Sequence, residues 1–251
     1  MKYAIFLLFT FLVFMFYQWQ YFMVFTPTYS RDDELKENMK TLSLTTDDNI
    51  KLEGVVFEPK KFSSTLLFFG GNAHDSVGLI NKLSQTFSNT RIITFNYHSY
   101  GKSEGSVSEK NMLNDALNIA QIVKKDYGDF YILGFSLGSI VASYVASKQQ
   151  NLGVFLVGTF DSLSNLAKKK YGINLSWILR YKFNNIEFVK NIDAKTYIFS
   201  TKNDEITYIE NARNLKKYVK NLVLYKELDN MLHNDLFFNE EVVSDIKKVL
   251  K

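Results

Sequence analysis

The sequence predicts an α/β domain with a mainly parallel sheet, helices on both faces of the sheet and a small cap insertion. Short apolar segments alternate along the chain with longer segments of helical periodicity. Apolar strands without polar alternation are typical of parallel sheets that are buried on both faces. The length of 251 residues suits one domain with a large core. A third observation is a Gly-x-Ser-x-Gly pattern at a predicted strand-to-helix boundary.

The N-terminal segment predicts a membrane anchor. "YAIFLLFTFLVFMFYQWQYFMVF", residues 3–25, contains three polar residues and is long enough to cross a hydrocarbon core of about 30 Å. A cleaved signal peptide is the alternative, because Lys2 and the apolar run to Phe16 resemble its first two regions. However, no pair of small residues follows at which a peptidase would cut. We therefore predict a transmembrane anchor at residues 1–28 and a domain at 29–251.

The charges that flank the anchor bear on its orientation. Lys2 precedes the span, whereas Arg31, Lys36 and Lys40 follow it, which disfavours the usual arrangement with the N-terminus in the cytoplasm. A chain rich in Lys, Asn, Ile and Phe with two prolines is typical of an AT-rich, bacterial genome. These charges favour a cytoplasmic domain. Our slight preference is nevertheless the arrangement that is usual for an N-terminal anchor, a single-pass protein of the bacterial inner membrane with an extracytoplasmic domain, and the side stays open.

The composition disfavours several classes of partner. Lys and Arg together number 30 against 26 for Asp and Glu, and the basic residues are spread along the chain. Nucleic acid is therefore not an expected partner. The chain has no cysteine, and its three histidines, His74, His98 and His233, lack the spacing of a zinc site. We expect no metal and no other cofactor.

The order of elements after the anchor begins with a hairpin. "KTLSLTTDDNIKLEGVVFEP" predicts two alternating strands that meet at the turn Asp47-Asp48-Asn49. Strands and helices alternate after this hairpin. The predicted strands cover residues 65–69, 91–96, 130–133, 152–157, 196–200 and 222–225. The predicted helices cover residues 76–87, 109–125, 137–149, 208–219 and 240–250.

The segment at about 161–192 interrupts this alternation. It contains no predicted strand and mixes aromatic side chains with lysines. Because ligands bind at the carboxyl ends of parallel strands, an insertion here predicts a cap over that edge. The run Lys168–Lys170 is a candidate for contact with anionic headgroups, although such runs are usually solvated. The candidate lining of an acyl pocket is Leu175, Trp177, Ile178, Leu179 and Phe183.

Ser136 is the candidate nucleophile. It lies in "ILGFSLGSI", on the turn between a predicted strand and a predicted helix. A nucleophile on such a turn has a strained backbone and close main-chain neighbours, so Gly134 and Gly138 are needed because they lack a Cβ. An ordinary strand-to-helix turn with glycines for packing is the alternative.

The candidate base is His233. A serine hydroxyl needs a base to take its proton, and folds of this class place serine, acid and histidine in that order along the chain. His233 is the only histidine after Ser136, and it lies in a polar loop before the last helix.

The acid must orient the imidazole and stabilise its charged form. Asp204 follows the strand predicted at 196–200, and we prefer it for this role. Asp161, which follows the strand predicted at 152–157, is the alternative. Asp229 lies on the same loop as His233 and is less well placed to support the ring. For both Asp204 and Asp161, the alternative is a purely structural role as the N-cap of a helix.

An oxyanion hole needs two hydrogen-bond donors. The first candidate is the main-chain N–H of Leu137, the residue after Ser136. The second is the N–H of Asn72 in the loop "FFGGNAHD", where Gly70 and Gly71 allow the backbone to turn inward. A plain tight turn is the alternative for the two glycines.

"YGKSEG" contains the end of a phosphate-binding loop motif, Gly101-Lys102-Ser103. Asn96 stands where that motif has its first glycine, and no helix follows directly, which argues against nucleotide binding.

Together these motifs resemble the α/β-hydrolase superfamily, and within it the membrane-anchored serine hydrolases that include protein depalmitoylases and lysophospholipases. The resemblance covers about residues 20–250. The matching segments are "YFMVFTPT" after the anchor, "GGNAH" at 70–74, "NYHSYGKSEGSVSE" at 96–109, the elbow around Ser136, the acid loop at 203–207 and "HND" at 233–235.

The sequence departs from the pattern of these relatives at several positions. Gly70 stands where they have a histidine, His74 where they have a glycine, Asn96 where they have an aspartate, and His98-Ser99 where they have Arg-Gly. The triad positions are unchanged. His74 is then either a substrate contact or a solvated loop residue.

The resemblance implies a serine hydrolase that cleaves an ester or thioester of a lipid-like or acylated substrate through an acyl-enzyme. The implied triad is Ser136, His233 and Asp204. A serine peptidase of the same fold and a non-catalytic, membrane-tethered interaction protein are the alternative functions.

Overall fold

The computed structural model describes residues 2–30 and 35–251, and within them the domain is built on one eight-stranded sheet. The strands are β1 (Met39–Thr45), β2 (Lys51–Phe57), β3 (Ser64–Phe69), β4 (Thr90–Phe95), β5 (Tyr131–Phe135), β6 (Val154–Val157), β7 (Thr196–Thr201) and β8 (Leu222–Leu228). Their order in the sheet is β1-β2-β4-β3-β5-β6-β7-β8. The strand β2 pairs antiparallel with β1 and β4, and the remaining neighbours pair parallel. The predicted mainly parallel sheet is confirmed.

Helices cover both faces of this sheet. One buried cluster contains side chains of α3 and α4, such as Met112 and Ile140, and the other contains side chains of α2 and α8, such as Leu83 and Ile246. Burying both faces explains why the central strands are apolar without alternation. The helices are α1 (Lys2–Val24), α2 (Ile80–Thr86), α3 (Glu109–Tyr127), α4 (Leu137–Lys148), α5 (Leu163–Tyr171), α6 (Asn185–Val189), α7 (Ile209–Leu215) and α8 (Glu240–Val249).

The helix α2 begins four residues later than residue 76, where the sequence predicted its start. The side chain of Asn96 accepts the main-chain N–H of Ser76 at 2.7 Å, and Asp75 accepts that of Gly78 at 2.9 Å. Residues 76–79 form a turn that leads into the helix: the N–H of Leu79 donates to the carbonyl oxygen of Asp75 at 3.0 Å, and that of Ile80 donates to the carbonyl oxygen of Val77 at 3.2 Å. The change from four-residue to three-residue spacing interrupts the helical pattern, so the regular helix begins at Ile80.

The segment predicted as a cap, 161–192, contains the two helices α5 and α6 and no strand among its residues, all of which the structure describes. The helix α5 begins after Ser162, whose hydroxyl accepts the N–H of Asn165 at 3.1 Å, and it ends at Gly172, with φ of 75°. An N-cap hydroxyl and a left-handed glycine are typical helix boundaries.

The helix α1 is long and apolar enough to cross a membrane, a property that signal sequences share. Most of its side chains are exposed, but Gln20 is buried. Its amide nitrogen donates to the carbonyl oxygen of Ile178 at 3.0 Å, and its amide oxygen accepts the N–H of Arg180 at 2.7 Å. The end of α1 is thus attached to the cap segment. Arg31, one of the charges that bear on the orientation of the anchor, lies outside the described residues.

Candidate active site

Ser136 lies where β5 ends and α4 begins. Its backbone has φ of 53° and ψ of −122°, a region that residues other than glycine rarely adopt. The N–H of Ser136 donates to the carbonyl oxygen of Val157 in the neighbouring strand β6 at 2.9 Å, which holds the strained turn in place. The side chain is half-buried at the carboxyl edge of the sheet.

Gly134 and Gly138 lie on either side of this turn, and neither position has room for a Cβ. A Cβ on Gly134 would lie 2.4 Å from the carbonyl oxygen of Gly138. A Cβ on Gly138 would lie 2.2 Å from the carbonyl oxygen of Phe69, at the end of β3. Because both neighbours are main-chain atoms, the close approach of the strand, turn and helix requires glycine at both positions.

His233 and Asp204 form a buried pair. The Nδ1 atom of His233 lies 2.8 Å from Oδ2 of Asp204, and both side chains are shielded from solvent. Burial alone would raise the pKa of the Asp204 carboxyl. The hydrogen bond and charge of His233, together with hydrogen bonds from Thr207, outweigh burial and hold that pKa below its ordinary value. Asp204 is therefore an ionised acceptor that fixes the proton of His233 on Nδ1.

The imidazole of His233 also packs against the end of β5 and the residue after β6. Its ring centroid lies 5.1 Å from that of Phe135, the residue before Ser136, and a Cβ on Gly158 would lie 2.8 Å from its Cε1 atom. Its Nε2 atom is buried and makes no hydrogen bond within residues 2–30 and 35–251. The basic nitrogen of His233 therefore makes no hydrogen bond to Ser136 or to any other described residue, while the ring itself packs against Phe135, the neighbour of Ser136.

The two other candidate acids have different partners. Asp161 is buried, and its Oδ2 accepts hydrogen bonds from the side-chain amides of Asn165 at 2.8 Å and Asn214 at 2.7 Å. These bonds join the start of the cap to α7. Asp229 is exposed and pairs with Lys202 at 2.9 Å. Of the three aspartates, the structure brings Asp204 to the histidine.

The candidate oxyanion donors lie at the ends of β3 and β5. Leu137 is the first residue of α4, where main-chain N–H groups lack helical partners and the helix dipole favours negative charge. The N–H of Asn72 makes no hydrogen bond within the described part of the chain. The carbonyl oxygens of Phe69 and Gly70 lie so close to Gly138 that the loop after β3 packs directly on the elbow.

Sequence reasoning missed the residues that support this loop. The hydroxyl of Tyr97 donates to the carbonyl oxygen of Gly70 at 3.0 Å, and that of Tyr100 donates to Oδ1 of Asn72 at 2.9 Å. Asn96 donates from Nδ2 to Asp75 at 2.8 Å while its oxygen accepts a main-chain N–H. An amide can both donate and accept, so asparagine suits this position beside a carboxylate. Asn96, Tyr97 and Tyr100 all belong to the segment "NYHSYG", residues 96–101, which is part of the motif that carries the family resemblance.

His74 is packed against the site rather than solvated. Its ring stacks on Phe135 with centroids 5.3 Å apart, and its Nδ1 atom accepts the N–H of Gly71 at 3.2 Å. Burial lowers the pKa of His74 to about 4, with smaller contributions from the charges of His233 and Lys82. His74 is therefore neutral near pH 7, with its proton on Nε2.

His98 occupies a separate, buried position. Its Nε2 atom lies 2.8 Å from Oδ2 of Asp115 in α3, and its Nδ1 atom lies 3.3 Å from the side-chain amide of Asn111. These contacts attach the loop after β4 to α3.

An apolar groove of about 560 Å³ lies between α1 and the cap segment. Leu175, Ile178 and Leu179, three of the predicted lining residues, form part of its wall. Trp177 is 81% exposed, and Phe183 is fully buried in the core. The helix α1 contributes Phe16, Trp19, Met23 and Val24 to the opposite wall.

Comparison with known sequences identifies distant relatives. No model of a protein family matches the chain. An uncharacterised protein of Acanthamoeba polyphaga mimivirus is 28% identical over 74% of this chain and 71% of its own length. An uncharacterised membrane protein of Saccharomyces cerevisiae is 34% identical over 49% of this chain and 46% of its own. A lysophosphatidylserine lipase of Macaca fascicularis is 28% identical over 49% and 36%. The chain spans about half or less of the last two proteins.

Solved structures share the α/β architecture over most of this chain. An esterase of Pyrococcus furiosus superposes with a TM-score of 0.68 at 18% identity, over 90% of this chain and 98% of that chain. The alpha/beta hydrolase GrgF of Penicillium superposes with a TM-score of 0.69 at 14% identity, over 85% and 98%. At these identities the likeness shows the fold.

Proposed function

We propose that this protein, which has the α/β-hydrolase fold, is a membrane-anchored serine hydrolase that cleaves an ester or thioester of an acylated, lipid-like substrate. The observation that carries the proposal is the buried pair of His233 and Asp204 beside the strained turn of Ser136. A nucleophile, an oriented base and adjacent main-chain donors are the parts that acyl transfer needs.

In the first half of the reaction, Nε2 of His233 takes the proton of the Ser136 hydroxyl while Oγ attacks the carbonyl carbon. The carbonyl oxygen becomes an oxyanion, held by the N–H groups of Leu137 and Asn72. Each such donor contributes about 3 kcal/mol in the transition state. His233 then gives its proton to the departing alcohol or thiol, which leaves an acyl group on Ser136.

In the second half, His233 takes a proton from a water molecule, and the resulting hydroxide attacks the acyl carbon. Collapse of this second tetrahedral intermediate returns the proton to Oγ of Ser136 and releases the carboxylic acid. Asp204 remains ionised throughout, because its lowered pKa favours the carboxylate that stabilises the imidazolium.

A long acyl chain is the substrate feature that the surroundings favour. The groove between α1 and the cap has apolar walls and a volume of about 560 Å³, within the range of small-molecule pockets. One relative is described as a lysophosphatidylserine lipase and one structural neighbour as an esterase, which accords with an acyl ester. Lys170 at this groove offers a positive charge to an anionic headgroup.

The proposed location is a membrane, with α1 as a single span. The length and apolar composition of α1 support this proposal, and a yeast relative is described as a membrane protein. We propose the extracytoplasmic side for the domain, as is usual for an N-terminal anchor, although Lys36 and Lys40 after the span favour the cytoplasmic side.

The test is labelling of the full chain, in detergent micelles, with a fluorophosphonate probe that reacts with activated serines. We expect wild type and Ser147→Ala to be labelled and Ser136→Ala to remain unlabelled. Ser147 is a matched control, because it lies on the same helix α4 and, among the described residues, its hydroxyl bonds the carbonyl oxygen of Tyr144 alone. Equal labelling of wild type and Ser136→Ala would refute the assignment.

Substrate assays separate the alternatives. Turnover of p-nitrophenyl acyl esters without turnover of aminoacyl amides supports the esterase over a peptidase. Absence of both labelling and turnover in folded wild-type protein would instead support a non-catalytic, membrane-tethered role.

A further inference from the structure

The segment that leaves α1, residues 25–30, lies against the loop that carries Asn72. We call it the linker. It contains the end of "YFMVFTPT", a sequence motif to which the proposed reaction assigns no role. Its contacts run in order along the loop after β3 and the loop after β4, so the linker is packed over the oxyanion side of the site.

Thr26 contacts the side-chain amide of Asn72 at two points. The main-chain N–H of Thr26 donates to Oδ1 of Asn72 at 3.1 Å, and Nδ2 of Asn72 donates to Oγ1 of Thr26 at 3.3 Å. The hydroxyl of Tyr100 donates to the same Oδ1 at 2.9 Å. Burial raises the pKa of Tyr100 far above its ordinary value, so this hydroxyl remains a donor. Both the oxygen and the nitrogen of the Asn72 side-chain amide are therefore hydrogen-bonded.

The linker is fixed on both sides of Thr26. Before it, the Phe25 ring is buried and lies 4.8 Å, centroid to centroid, from that of Tyr181 in the cap. After it, the carbonyl oxygen of Thr28 accepts the N–H of Gly101 at 2.9 Å, and the N–H of Ser30 donates to Asp75 at 3.2 Å. Thr26 therefore has a defined position from which to hold Asn72.

The hydrogen bonds that fix the Asn72 side chain matter because the backbone that precedes Asn72 has wide conformational freedom. Asn72 follows Gly70 and Gly71, two residues with wide conformational freedom. An oxyanion donor is effective only when its N–H lies about 2.7–3.1 Å from the oxygen in the transition state. Clamping the side chain of Asn72 restricts rotation of the peptide unit that precedes it, and that unit carries the N–H.

We propose that Thr26 is a positioning residue for the oxyanion loop, and that the linker thereby couples the membrane helix to the geometry of the active site. The proposal rests on the proposed function, because it takes the N–H of Asn72 as an oxyanion donor. It explains why the threonine that follows α1 is bonded to a loop 46 residues away.

The test compares Thr26→Val and Thr26→Ser in the full chain, in detergent micelles. Valine keeps the shape and removes the hydroxyl, whereas serine keeps the hydroxyl. We expect Thr26→Val to lower kcat on a p-nitrophenyl acyl ester about tenfold, part of the hundredfold or greater effect of losing a donor. KM and Tm should stay near the wild-type values. Thr26→Ser should restore kcat. Thr86→Val, which removes an exposed hydroxyl from α2, is the control for valine substitution.

Hydrogen exchange provides a readout that does not depend on activity. We expect amide exchange at residues 70–75 to be faster in Thr26→Val than in wild type, and unchanged in Thr26→Ser. Equal kcat and equal exchange in the two variants would overturn the inference while leaving the triad intact. A loss of kcat that is matched by a lower Tm would also overturn it, as a purely structural effect. A folded wild type that the fluorophosphonate does not label overturns the proposed function, and the inference with it.

Discussion

Replacing Asp204 by asparagine tests how the acid controls the base. In the wild type, Oδ1 of Asp204 accepts the main-chain N–H groups of Ile206 at 3.0 Å and Thr207 at 2.6 Å. Its Oδ2 lies 2.8 Å from both the Thr207 hydroxyl and Nδ1 of His233. An asparagine that keeps the two main-chain bonds on its oxygen places its NH₂ group opposite His233.

That NH₂ group reverses the direction of the critical hydrogen bond. An amide nitrogen donates, so Nδ1 of His233 must accept, and the ring proton moves to Nε2. In the proposed reaction Nε2 takes the proton of Ser136, so this variant would lose the base while the ring stays in place. The variant also lacks the charge that stabilises the imidazolium. We expect kcat/KM to fall about 10³- to 10⁴-fold, or about 4–5.5 kcal/mol in the transition state.

The assay is hydrolysis of a p-nitrophenyl acyl ester by the full chain, together with the rate of fluorophosphonate labelling. Asp161→Asn is the matched control, because Asp161 is also a buried carboxylate after a neighbouring strand but bonds Asn165 and Asn214. Losing the Asp161 carboxylate in this variant should lower Tm and leave the pH profile of kcat/KM unchanged. The reasoning is refuted if Asp204→Asn keeps more than a tenth of the activity, or if Asp161→Asn is the variant that loses it.

Two further predictions concern packing and protonation. Gly138→Ala should lower the free energy of unfolding by about 3 kcal/mol and Tm by roughly 10 °C, because its Cβ would meet the Phe69 carbonyl at 2.2 Å. Gly128→Ala, with φ of 85° and ψ of −148° and open space around its Cβ, should cost about 1–2 kcal/mol of backbone strain in chemical denaturation, less than Gly138→Ala, and equal losses would contradict the steric argument. For His74, the pKa is about 4 in the folded chain and 6.5 ordinarily. The unfolded chain therefore binds the proton first, and stability should decline as the pH falls from 6.5 towards 4. Thermal unfolding across this range should show a smaller decline in His74→Gln, and identical profiles would contradict the buried, neutral state.

Local patterns predicted most of the fold. Period-two alternation around Asn49 predicted the hairpin of β1 and β2, and the Gly-x-Ser-x-Gly pattern placed Ser136 between β5 and α4. These features depend on residues close together in the chain. The start of α2 could not be predicted in the same way, because the turn before it contacts a distant residue: Asn96, 20 residues later, accepts the N–H of Ser76. Propensity within a window carries no information about such a partner.

The sequence by itself determined the mainly parallel α/β class, the candidate nucleophile and, because one histidine follows Ser136, the candidate base. It favoured Asp204 over Asp161 as the acid without excluding Asp161, since both follow strands and the order of residues along the chain does not give the distance between side chains. Only the tertiary structure brought the Asp204 carboxylate to 2.8 Å from His233. It likewise placed Thr26 against Asn72, because adjacent strands and the exit of α1 meet at one edge of the sheet. Such contacts depend on how distant segments pack, and that is decided when the two faces of the sheet are buried.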